Sequence, residues 1–137
     1  ARVSGVEVYY PRLSTVGGTS AWPPAVTAAE IGIASTAVKQ VLWDLVLVRT
    51  RFQSRRLASA VCRSMRDGLQ APCRAVKPAR FVVLREAWMP AVLVEVGYVS
   101  NRTEASRLAR AEYRQAAARA IADGILSYIR SLGLEHI

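Results

Sequence analysis

The sequence of 137 residues predicts an α/β fold, a mostly parallel twisted sheet with helices on both faces. Two observations support this prediction. Strand-like and helical patterns alternate along the chain in the order strand, helix, strand, strand, helix. The last strand-like run, Ala91 to Val96, is apolar on both faces, which is typical of a central strand that is covered on both sides and usually parallel.

The first half of the chain is predicted to contain one strand and two helices. Gly5 to Tyr10 alternates and is rich in β-formers, so a strand is expected there. Residues 11–24 hold paired glycines and paired prolines and are expected to form a loop. Apolar residues recur at helical spacing from Ala34 to Val48. A second helix is expected to begin at a Ser54 cap and to end near Gly68.

The second half is predicted to contain two strands and a long helix. Arg80 to Leu84 and Ala91 to Val96 have the composition of strands, and Pro90 leads into the second. Thr103 is expected to cap a helical stretch that ends at Gly133.

Histidine and cysteine are too scarce for a self-contained zinc site. The chain has one histidine, His136, and two cysteines, Cys62 and Cys73. A catalytic zinc usually takes three protein ligands, and a Ser-His-Asp triad would have to use a residue near the C-terminus. A bridge between the two cysteines stays open, but unpaired thiols are the favoured expectation.

The chain is strongly basic, with 19 Lys and Arg against 10 Asp and Glu and a net charge of +9. Only Lys39 and Lys77 are lysines. This charge favours polyanionic partners, such as nucleic acid, acidic lipid or anionic cell-envelope polymers, although scattered arginines also fit a plain solvated surface. No apolar stretch is long enough to span a membrane.

Glu95 is the residue most indicative of chemistry. It interrupts an apolar run and stands at the C-terminal end of its predicted strand, where ligand sites of open α/β sheets lie. A glutamate is almost never fully buried unless it is paired, and partial burial favours the basicity that a general base needs. The alternative is a structural ion pair with an arginine, for example Arg85.

Other candidates are weaker. Glu7 on the first strand either faces the same crevice or points to solvent. Ser100 and Asn101 fit the start of a helix better than a nucleophile site. The three tryptophans are Trp22, Trp43 and Trp88. Tryptophan is more often a packing residue than a ring on which a bound sugar stacks.

The segment from Met89 to Asn101, with Glu95-Val96-Gly97-Tyr98, closely resembles a signature of zinc-dependent N-acetylmuramoyl-L-alanine amidases of the cell-wall type. Further segments resemble the family in the same order. These are Ser4 to Tyr10, Ser54 to Ala58, Val76 to Arg85, and Glu104 to Ile129, which the family usually breaks into two helices near residues 108–112. The family usually has phenylalanine where this chain has Tyr98.

The resemblance implies a peptidoglycan hydrolase of the cell envelope, periplasmic or secreted, of the autolysin kind. Such enzymes cleave the amide between N-acetylmuramic acid and L-alanine. A zinc ion (Zn2+), held by two histidines and a glutamate, activates water. A second glutamate, which maps onto Glu95, is the general base.

The resemblance also implies where the zinc ligands are. In the family they precede the strand that corresponds to Val6-Glu7-Val8, so residues 1–137 are expected to be the C-terminal part of an amidase catalytic domain that is inactive alone. Neither His136 nor the cysteines match a family ligand. An exposed sheet edge and exposed apolar surface are also expected.

Residues 15–52 are longer than the connection in minimal family members. Cell-division amidases carry a helix here that covers the zinc until an activator protein withdraws it, and Glu30 could approach the metal. An ordinary packed helix is the favoured alternative.

Two other functions fit the composition. One is a catalytically dead module that binds the cell wall or an anionic polymer. The other, a nucleic-acid-binding domain, is disfavoured because no aromatic-studded basic motif supports it.

Overall fold

The computed structural model describes residues 4–12, 36–85 and 87–133. The backbone forms three strands and four helices in these ranges. In chain order they are β1 (Val6–Pro11), α1 (Thr36–Leu69), β2 (Cys73–Ala79), α2 (Val82–Arg85), β3 (Leu93–Glu95), α3 (Arg102–Ala109) and α4 (Ala111–Arg130).

The described sheet has the order β2-β1-β3. β1 is parallel to β2 and antiparallel to β3. The α/β fold is therefore confirmed, whereas the central, parallel position predicted for Ala91 to Val96 is wrong. β3 lies at the edge of the described sheet. It is short because Pro90 supplies no backbone donor before it and Gly97, at a φ of +153°, leaves the strand conformation after it.

Alternation along β1 separates an apolar face from a polar one. Val6 and Val8 are fully buried in the core against the helices. Glu7 and Tyr9 point to the opposite face, which we call the polar face. Phe81, just before α2, meets the Tyr9 ring edge-on there. The buried core on the apolar face comprises Val6, Val8, Leu57, Ala58, Ala60, Val61, Met65, Ala117, Ala120 and Tyr128.

α1 is one continuous helix of 34 residues, so the predicted break and cap at Ser54 are wrong. Ser54 is fully buried, and its hydroxyl donates to the Thr50 carbonyl at 2.8 Å. It also accepts from the backbone N–H of Ala91 at 3.0 Å. The side chain therefore fixes the segment that leads into β3 against the helix instead of starting a new helix.

The strand predicted over Arg80 to Leu84 is also wrong. The strand is β2, and the apolar run that follows it forms the single turn α2, in which only Leu84 is buried. Val82 and Val83 are 72% and 74% exposed, so their β-branched side chains have no sheet face to cover. The backbone bonds from Leu84 and Arg85 to the carbonyl of Phe81 close the helical turn.

Cys62 and Cys73 form a disulfide, so the expectation of unpaired thiols is wrong. The turn after α1 brings the helix beside the first residue of β2, with the two Cα atoms 5.6 Å apart. The bond joins the long helix to the sheet.

The C-terminal helical stretch breaks at Arg110, within the region that the family resemblance implies. Arg110 is extended, with φ of −82° and ψ of 129°. The cap of α3 is Asn101 rather than the predicted Thr103, since its side chain accepts from the N–H groups of Thr103 and Glu104.

The first half of α1 exposes much apolar surface. Val41 and Leu45 are each 59% exposed, whereas Trp43 is buried. Among the described helices, none combines the length and the apolar character that a membrane crossing requires.

Candidate active site

Glu95 ends β3 on the polar face of the sheet. In the antiparallel ladder it is paired directly with Glu7 of β1, so the two side chains project to the same side. Glu95 is half-buried, whereas Glu7 is only 6% exposed. Glu7 therefore lies on the same face as Glu95 and does not point to solvent.

The two principal donors to Glu7 are Lys77 and Tyr9. The ammonium of Lys77, on the neighbouring β2, donates to Oε1 at 3.1 Å, and the hydroxyl of Tyr9 donates to Oε2. The hydrogen bond from Tyr9, together with Lys77, holds the pKa of Glu7 below its ordinary value against the opposing effect of burial. Glu7 is therefore a carboxylate at neutral pH.

Tyr98 lies beside both carboxylates: its hydroxyl is hydrogen-bonded with Glu95, and it contributes weakly to the lowered pKa of Glu7. Burial and the bond to Glu95 raise the pKa of Tyr98 above its ordinary value. The bond to Glu7 raises the pKa of Tyr9 to about 12. Both phenols thus stay protonated donors at neutral pH. We call Glu7, Tyr9, Lys77, Glu95 and Tyr98 the carboxylate cluster.

Glu104 of α3 anchors the backbone around the cluster. Its carboxylate accepts from the N–H of Gly5, just before β1, and from the N–H of Tyr98 at 2.8 Å. Gly97 permits this approach, since a Cβ there would lie 3.3 Å from Glu104 Oε2 on a residue with positive φ. The ends of β1 and β3 are thereby tied together beside Glu95.

The sequence predicted Glu95 but not the rest of the arrangement. Tyr9, Lys77 and Tyr98 become neighbours only through strand register, although the i, i+2 spacing of Glu7 and Tyr9 was a signal. Glu104 carried no local signal beyond its place in the first turn of α3.

Other predicted candidates take structural positions. Asn101 is the cap of α3, which confirms the start of a helix there. Trp43 is buried, whereas Trp88 is 52% exposed and its carbonyl accepts from the Thr50 hydroxyl. Trp22, Glu30 and His136 lie outside the described residues. Within the described part of the chain, no group of three His, Cys, Asp or Glu side chains is placed to hold a metal ion.

Comparison with known proteins identifies the family. The sequence profile of the N-acetylmuramoyl-L-alanine amidase family matches residues 1–127. The chain belongs to this family. Among curated amidases, LytC from Bacillus subtilis (strain 168) is 42% identical over 77 residues, which cover 56% of this chain and 16% of LytC. AmiA from Escherichia coli (strain K12) is 37% identical over 91 residues, covering 66% of this chain and 32% of AmiA.

A solved amidase has the same fold. The N-acetylmuramoyl-L-alanine amidase from Clostridium difficile 630 superimposes with a TM-score of 0.64 at 23% identity, covering 95% of this chain and 50% of that one. This amidase chain therefore spans about half the length of that solved relative. Its matches cover 16% of LytC and 32% of AmiA.

The lowered pKa of Glu7 predicts how this part of the amidase responds to acid. A carboxylate whose pKa is lower when folded contributes stability above the ordinary value of 4.5, and that contribution is lost as the pH falls through the folded pKa. Glu7→Gln should therefore lower the melting temperature at neutral pH, and the deficit should shrink below about pH 4.5. Melting curves from pH 3 to pH 7 test this (roughly the carboxyl range), with the exposed Glu112→Gln as the reference. A deficit that does not vary with pH would contradict it.

Proposed function

We propose that this chain forms the general-base side of a peptidoglycan amidase site that cleaves the bond between N-acetylmuramic acid and L-alanine. The observation that supports the proposal is the position of Glu95. It is a half-buried carboxylate at the end of β3, oriented by Tyr98 and lying on a polar face in a chain of the amidase family.

In this proposal Glu95 accepts a proton from the water that attacks the lactyl carbonyl carbon. The new C–O bond forms, the C–N bond then breaks, and the proton passes from Glu95 to the leaving nitrogen. The products are the muramic acid carboxylate and a peptide with a free L-alanine amine. Tyr98 acts as a positioning residue that holds the Glu95 carboxylate on this face.

The family implies a zinc ion, but the described residues do not fit one. The acidic side chains near Glu95 are held by tyrosine, lysine and backbone donors, and they provide no three-ligand set. No step is therefore assigned here through the metal. We propose that zinc is bound by residues outside the described ranges, and that this chain alone does not turn over substrate.

Location and partners follow from the same proposal. Peptidoglycan as substrate requires a site in the cell envelope, either periplasmic or secreted. The exposed apolar half of α1 is part of the segment proposed as an insert over residues 15–52, of which 15–35 lie outside the described part. An activator that acts on this insert remains a proposal. A dead binding module is not favoured, because the family match includes the Glu95 signature.

The products of digestion test the proposed function. Purified peptidoglycan treated with the full-length protein should release free stem peptides that begin with L-alanine, detectable by mass spectrometry, and leave intact glycan strands. Soluble disaccharides, or peptides cut between amino acids, would instead identify a different hydrolase.

A further inference from the structure

A groove lined by arginines lies between α1 and α4. Its volume is ≈ 310 Å³, and its polar lining comes from Arg55, Arg56, Arg63, Ser59, Ser127 and Ser131. The apolar face of the sheet packs on these helices, whereas the carboxylate cluster is on the opposite face. The groove is therefore separate from the proposed active site, and ligand binding there does not depend on the proposed function.

Helix geometry explains why the arginines converge. Arg55 and Arg56 lie four and three residues before Ser59, and Arg63 lies four residues after it, so all three arginines are on the same side of α1 as Ser59. α4 runs antiparallel beside this stripe, as the pairings of Gly124 with Val61 and of Ser131 with Arg56 show. Ser127 and Ser131, four residues apart, complete the other wall.

In the part of the chain that the structure describes, no carboxylate balances the positive charge of the groove. Within the described ranges, none of Arg55, Arg56 and Arg63 forms an ion pair, and all three are exposed. The Arg56 guanidinium donates across the groove to the Ser131 hydroxyl at 3.2 Å, and that hydroxyl donates to the Tyr128 carbonyl at 2.6 Å. One guanidinium is thus already oriented between the two walls.

We propose that this groove binds the phosphates of a flexible, phosphodiester-linked polyol polymer. Guanidinium groups bind phosphate oxygens through paired hydrogen bonds, and the serine hydroxyls add further donors. From Arg55 to Arg63 the helix rises about 12 Å, so successive phosphates of one chain meet more than one guanidinium. The narrow concave shape fits a slender single chain rather than a duplex or a bilayer surface.

Binding of poly(glycerol phosphate) to the full 137-residue chain, measured by calorimetry at two salt concentrations, tests the proposal. Replacing Arg55, Arg56 and Arg63 together with glutamine should weaken binding by about tenfold or more. The matched control replaces the exposed Arg102, Arg107 and Arg119 with glutamine, which removes the same charge elsewhere. It should weaken binding by less than about threefold, the effect of general screening alone.

A lysine variant and other anionic ligands distinguish phosphate recognition in the groove from general charge attraction. Lysine at the three groove positions keeps the charge but lacks the planar guanidinium that binds phosphate through paired hydrogen bonds. Its affinity should lie between those of the wild type and the glutamine variant. This variant also serves if the glutamine variant unfolds, which circular dichroism would reveal. Equal losses in the groove and control variants, no measurable binding, or no loss in either groove variant would overturn the proposal. Tighter binding of duplex DNA or anionic vesicles that depends on the groove arginines would also overturn it. The same holds if inorganic phosphate competes as strongly as the polymer at equal phosphate concentration.

Discussion

Replacing Glu95 with glutamine in the full-length protein is expected to lower the rate of muramoyl–L-alanine cleavage by about 10²–10⁴-fold. Glutamine keeps the size of the side chain and can still bond the Tyr98 hydroxyl, but it cannot accept the proton of the attacking water. The loss should fall on kcat, whereas binding to insoluble peptidoglycan should be unchanged. Dye release from labelled sacculi measures the cleavage rate, and cosedimentation with insoluble peptidoglycan measures binding.

The matched control for this substitution is Glu112→Gln. Glu112 lies on the outer surface of α4, its side chain is 81% exposed, and its ion pair with Arg110 is 3.8 Å long. Exposed pairs of this kind contribute little to stability, so the control should cleave at the wild-type rate. If Glu95→Gln were equally active, Glu95 would not be the base. A Glu95→Gln protein with a much lower melting temperature would instead indicate the structural ion-pair role.

Gly124→Ala is expected to destabilise the chain by about 2 kcal/mol, despite the better helix propensity of alanine. A Cβ at Gly124 would lie 2.6 Å from Val61 Cα and 3.0 Å from Val61 N, both atoms of the α1 backbone. Backbone cannot move aside as a flexible side chain can, so α1 and α4 must separate where they bury the core. The melting temperature should fall by roughly 8 °C.

Gly68→Ala is the matched control for this helix contact. Its Cβ would lie 3.1 Å from the Cβ of Ala120, so a shift of a few tenths of an ångström relieves this contact, less than the 2.6 Å contact at Gly124 requires. Both substitutions gain the same helix propensity, so their difference isolates the backbone contact at Gly124. Equal melting temperatures for the two variants would contradict the close packing of α1 on α4.

Local pattern predicted the parts of the fold whose residues alternate or recur clearly. β1 was predicted because its apolar and polar residues alternate, and the same alternation later separated the core from the polar face. The β2 strand was missed because Lys77 and Pro78 interrupt its pattern, whereas the β-branched run in α2 resembled a strand. Ser54 resembled a cap because its bond to Ala91, distant in sequence, carries no local signal.

In the candidate site, too, the residue with a local sequence signal was predicted and the contacts between distant segments were not. Glu95 was predicted as a site residue from sequence because a carboxylate in an apolar run is costly unless it is paired or used. The cluster around it depends on β1 pairing with both β2 and β3, and on the reach of Glu104 to Gly5 across 99 residues of sequence. Neither strand register nor such a contact follows from the pattern of one segment. The disulfide was missed for the same reason, since it depends on the turn that follows α1.

Chemical rescue tests the role of Glu95 most directly. Glu95→Ala in the full-length protein removes the carboxylate and leaves space beside Tyr98 for a small anion. Added formate should restore part of the lost cleavage rate in a saturable manner, whereas chloride at the same ionic strength should not. A folded, wall-binding Glu95→Ala protein that formate does not reactivate, or that cleaves at the wild-type rate without it, would contradict the assignment of Glu95 as the general base.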